Sequence, residues 1–139
     1  MKVLMCVLIL LVVGCDVPDE EQCELYSTDA TTVDAAGLVL HPSAALYLSF
    51  EEISSIYQEV EQCVGIARDG PDIYFLDFKT INLGGGWAIW HRPSGEIWVN
   101  TGALNRDCDT DRATLRHEFV HHILDQAHHA SEFFNQCGG

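Results

Sequence analysis

Basic side chains are scarce in this sequence. Seven Lys and Arg stand against 21 Asp and Glu, for a formal net charge of −14. A chain this negative is repelled by phosphate backbones and by anionic bilayers, which argues against nucleic acid as a partner and against adhesion to lipid by charge. Solubility is a sufficient reason for the acidity. Long apolar runs are also missing: the longest, Val3 to Val13, falls short of the roughly 20 residues a spanning helix needs. No Cys-x-x-Cys pair occurs among the six cysteines, which disfavours a cysteine-built metal site. No internal repeat is visible, and the length suits one small domain.

What is present begins with a leader pattern. Lys2 precedes the apolar run, which contains Cys6 and ends on the small residue Gly14. Residues 1–14 therefore read as a secretory signal and are set apart from the fold. Val13-Gly14-Cys15 resembles a bacterial lipobox, which implies cleavage before Cys15 and a diacylglycerol thioether on its sulfur. Residues 15–22 then form the lipid-bearing cysteine and a short acidic tether containing Pro18, without apolar periodicity. Residues 23–139 are left as a single domain, exported and held to a membrane through Cys15.

Setting aside Cys6 and Cys15 leaves Cys23, Cys63, Cys108 and Cys137. An even number in a small exported domain predicts two disulfides, with all three pairings open.

The middle of the chain carries the marks of an α+β domain. Leu38-Val39-Leu40 is a short strand, followed by a loop at His41-Pro42-Ser43. Ser49 and Glu52 form a capping box that opens a helix with Ile53, Ile56, Tyr57, Val60 and Val64 on its apolar face. Gly65, or the stretch Arg68 to Pro71, ends that helix. Asp72 to Phe78 is β-rich. Gly84-Gly85-Gly86 is a turn, and Trp87 to Trp90 pairs with Glu96 to Asn100 as a hairpin across His91 to Gly95. Trp87, Trp90 and Trp98 are expected in the core or on the sheet face. His41 and His91 fall in loops and are expected at the surface rather than on a metal.

The chemistry lies in Arg116-His117-Glu118-Phe119-Val120-His121-His122. Leu115, Phe119, Val120, Ile123 and Leu124 form an apolar stripe at helical spacing, and Asp109, Thr110 and Asp111 supply the cap and an acidic first turn. On that helix His117 and His121 lie one turn apart on one face, where two imidazoles can share a metal ion. Glu118 reaches the rim of the same site, placed to take a proton from a metal-activated water. Zinc suits the set: it accepts imidazole nitrogen and keeps a position open. His122 points about 100° away from His121 and should not share the metal. A third ligand must follow the turn. His129 is the favoured residue, with His128 as its alternative and Glu132 as a third candidate.

This pattern resembles the zincin metallopeptidases. The resemblance covers the motif helix and, loosely, the order of helix and sheet before it. It is similar in particular to short exported bacterial lipoproteins of zincin type, in which a histidine, an aromatic residue and a cysteine follow the motif. The fold implied is α+β and zincin-like, a small mixed or antiparallel sheet packed on a backing helix and the motif helix. The roles implied are His117 and His121 as ligands of one zinc and Glu118 as general base, with a peptide or protein as substrate. An antiparallel edge strand, here Glu96 to Asn100, would hold that substrate. The chain departs from the metzincin pattern, having Leu124 and Ala127 where a glycine and a histidine would stand, and no methionine follows the motif. The gluzincin glutamate could only be Glu132, unusually near the motif. A catalytically silent zinc-binding lipoprotein, acting as a binding or envelope-structural module, is the alternative function.

Cys15→Ser should leave the protein unprocessed or release it from membranes. Mass spectrometry of the mature N-terminus should find a lipid-modified Cys15, and an unmodified cleaved residue would contradict the lipobox reading.

Overall fold

The computed structural model describes residues 23–139. The expected leader, the expected lipidation site at Cys15 and the expected acidic tether lie outside the described residues. Two antiparallel strands, β1 (Tyr26–Thr28) and β4 (Ser43–Leu46), form a small ribbon. The main sheet has five strands: β2 (Thr32–Val33), β3 (Val39–Leu40), β5 (Asp72–Leu76), β6 (Ala88–His91) and β7 (Glu96–Asn100), in the order β2-β3-β5-β7-β6. The central pairs β3/β5 and β5/β7 are parallel, and both outer pairs are antiparallel. Helix α1 (Phe50–Val64) connects β4 to β5, α2 (Cys108–Leu124) follows β7, and the single turn α3 (Phe133–Gln136) comes last. The fold is α+β.

Helix α1 starts and stops where its sequence dictates. The Ser49 hydroxyl accepts from the Glu52 amide at 3.2 Å, and the Glu52 carboxylate accepts from the Ser49 amide at 2.8 Å, closing the capping box. At the other end Gly65 adopts φ 76°, the left-handed cap that glycine takes without a Cβ clash. The predicted apolar face, Ile53, Ile56, Tyr57, Val60 and Val64, is buried. It shares one core with Ile73, Ile97 and Val99 of the sheet and with Leu115, Phe119, Val120 and Ile123 of α2. Tyr57 sets its ring edge against Phe119 at 5.0 Å.

Four expectations change. Glu96–Asn100 is not the edge: β7 lies between β5 and β6, and the antiparallel edge strand is β6. A hairpin sequence does not say which arm joins the rest of the sheet, and here the second arm pairs with β5. Trp87 is exposed at 53%, while Trp90 is buried. Ser43 belongs to a strand rather than a loop, and β1 and β2 were too short and polar to leave a period-2 signature. The cap of α2 is Asp107, two residues ahead of Asp109, with its carboxylate accepting from the Thr110 amide at 2.8 Å; Asp109 and Asp111 form the acidic first turn as expected.

Two disulfides form, Cys23–Cys108 and Cys63–Cys137. Bridges of this kind persist in oxidising compartments. Among the described residues no helix is long and apolar enough to cross a membrane.

Ser49→Ala removes the hydroxyl that caps α1 and should lower stability by about 1 kcal/mol in chemical denaturation. An unchanged midpoint would mean that the capping box contributes nothing to the fold.

Candidate metal centre

Helix α2 places its polar residues inward as well as its apolar ones. Glu118, His121 and His122 are all buried beside Leu115, Phe119 and Val120. The helix is anchored from both ends of this stretch. Near its start Arg106 makes two 2.8 Å hydrogen bonds to the Asp111 carboxylate, and its guanidinium lies over the rings of Tyr47 and Phe75. Near its end Arg68 donates to the His122 carbonyl at 2.6 Å. His122 turns away from its neighbour His121 and its Nε2–H donates to the Asp69 carbonyl at 2.8 Å. Its ring is thus occupied in holding the loop after α1.

His117, His121 and His129 converge. Their Nε2 atoms lie 2.9 Å (His117 to His129), 3.2 Å (His117 to His121) and 3.1 Å (His121 to His129) apart. Imidazole nitrogens about 2.0–2.1 Å from a tetrahedral metal would stand about 3.3–3.4 Å apart, so the observed triangle has close to the right size. His121 supplies the clearest test of fit. Its Nδ1 lies 2.6 Å from the Gln126 carbonyl, which can only accept, so Nδ1 carries the proton and Nε2 is left as a bare lone pair. That is how metal-binding histidines are commonly fixed. Burial lowers the pKa of His117, with the neighbouring imidazoles adding to the effect, and burial is also the main cause of the lowered pKa of His121. Both rings therefore favour the neutral, ligating form. The three histidines could hold a metal ion.

His128 and Glu132 do not join this group. The chain leaves α2 through Asp125, in the left-handed region at φ 53°, and the Gln126 amide bonds back to the His121 carbonyl. His129 then returns to the helix, and its neighbour does not. His41 lies elsewhere, bonded to Asp72 at 3.1 Å and stacked on Tyr74, and His91 stacks on Trp98 at 4.6 Å.

Glu118 adjoins the triangle without entering it. Its Oε2 accepts the Trp90 amide of β6 at 2.8 Å, and burial pushes its pKa up to about 7 against the opposing pull of that N–H. Glu118 and the three histidines line one cleft of about 350 Å³ with Ala88, Ile89, Trp90 and Ala127. A second cleft of about 310 Å³ shares Ala88, His117 and Glu118 and is walled by Trp87, Ala113, Thr114 and Gly138. Sequence reasoning missed two contributors. One is the Trp90 amide, which no side-chain pattern reveals. The other is Phe134, whose ring lies 4.6 Å from His121 and 4.9 Å from His129.

His129→Ala should weaken binding of a divalent transition metal, measured by competition with a chromophoric chelator, while His128→Ala should leave it within about twofold of the parent. The reverse order would assign the third position to His128.

No protein-family model, curated protein or solved structure matches this chain, so its own side-chain geometry carries the functional reading.

Proposed function

We propose that this protein is a zinc-dependent peptidase of zincin type, with one zinc held by His117, His121 and His129 and with Glu118 as general base. The observation that carries the reading is the triangle of three Nε2 atoms with a buried carboxylate lining the same cleft. Zinc fits three neutral imidazoles and an open position, where it would act as Lewis acid and acidify a coordinated water. The rest falls to the chain. The Trp90 amide occupies Glu118 Oε2 and leaves Oε1 to take a proton. A carboxylate whose pKa lies near 7 gives that proton up again readily to a leaving amine. The free side of edge strand β6 runs beside Glu118 and suits an extended peptide, which would add to the sheet as a further strand. The two clefts that share Ala88, His117 and Glu118 give such a peptide room on either side of the reacting bond.

Export with attachment through a lipid on Cys15 completes the proposal. The disulfides agree with an oxidising compartment, and the peptidase would then work on an extracytoplasmic membrane face.

Glu118→Gln keeps the shape and removes the base. It should retain zinc at the parental stoichiometry and lose cleavage of a denatured casein or peptide library by at least about a hundredfold, the lower range for a general base. If the parent, fully loaded with zinc, cleaves nothing in such a library, the silent zinc-binding module becomes the better reading.

A further inference from the structure

The three histidines are not held equally. His117 and His121 ride on the 17-residue helix α2, whereas His129 is exposed in the segment between the Asp125 cap and α3. Among the described residues the only hydrogen-bond partners of its ring nitrogens are the other two imidazoles. Its support comes from behind. Phe134, buried on α3, sets its ring 5.4 Å from His117, 4.6 Å from His121 and 4.9 Å from His129, closing the apolar side of the cluster.

Phe134 in turn depends on a helix that cannot hold itself. Helix α3 has four residues, and its backbone hydrogen bonds run only within residues 131–137. A single turn is unstable without external ties. Its covalent tie is Cys137, buried beside Phe134 and bonded to Cys63 in the last turn of α1.

We infer that the Cys63–Cys137 bridge and Phe134 are positioning residues of the metal centre: together they hold His129 over the two helix-borne histidines and so set the affinity for metal. The inference rests on His117, His121 and His129 binding a metal, and is independent of peptidase activity. Without the bridge α3 gains freedom, Phe134 leaves the three rings, and His129 spends only part of its time in reach. Apparent affinity falls by that fraction. The bridge Cys23–Cys108 ties the start of α2, nine residues ahead of His117, and has no such connection to His129.

The test is a cobalt(II) titration, read as affinity and as visible absorption, on the mature domain and its variants, each checked for folding by circular dichroism. Cys63→Ser combined with Cys137→Ser should weaken cobalt by about ten- to hundredfold, the range for losing support around a metal ligand. Its absorption should drop from that of a tetrahedral site towards the weak bands of a site where water replaces His129. Cys23→Ser with Cys108→Ser should keep the parental spectrum. Phe134→Ala, which leaves both bridges intact, should show the same spectral loss, and Phe134→Leu should restore part of it. Parental affinity and spectrum in folded Cys63/Cys137 and Phe134→Ala variants would overturn the inference, and so would equal loss in the two bridge variants. A parent protein that takes up no cobalt would instead overturn the metal centre itself.

Discussion

Three imidazole nitrogens within about 3 Å of one another impose the governing constraint on this molecule. With its Nδ1–H committed to Gln126, His121 turns an Nε2 lone pair towards the other two rings, where a shared cation would accept it. The scaffold is built to hold that arrangement. Gln126 fixes the His121 tautomer through a 2.6 Å contact, α2 sets His117 and His121 one turn apart, and Phe134 packs on all three rings. Desolvation lowers the pKa of His117 and His121, so protonation does not compete strongly with a metal near neutral pH.

Burying this much polarity on one helix is costly unless the side chains find partners. Glu118 has the Trp90 amide, His122 has the Asp69 carbonyl, and Asp111 has Arg106. Each partner comes from a different part of the chain: the edge strand, the loop after α1 and the approach to α2. The same contacts that satisfy the buried groups therefore register α2 against the sheet. Aiming the histidines and completing the fold are one task, as expected where buried polar networks specify a unique arrangement.

Legibility in the sequence followed the range of the interactions. Local rules recovered α1 with its capping box and narrowed its stop to Gly65 or Arg68 to Pro71, and they recovered the motif helix, because caps and helical periodicity act within a few residues. The two-residue strands β2 and β3 and the exposed β1 offered little pattern, and only Val39-Leu40 was apolar enough to notice. The edge position went to the wrong arm of the hairpin, since pairing of β7 with β5 joins segments some 24 residues apart. Selecting among His128, His129 and Glu132 needed the path of the chain after Asp125, and a left-handed aspartate is not announced by its neighbours. The pairing of the four cysteines was open for the same reason. The Trp90 amide was invisible because a backbone group carries no residue identity.

The central claim is that three histidines make one metal site. X-ray absorption at the zinc edge on the zinc-loaded protein measures it directly. The account predicts one zinc per chain with three imidazole nitrogens at about 2.0–2.1 Å and one further light-atom ligand. A zinc shell containing sulfur, or one with two or fewer imidazoles at full loading, would contradict it.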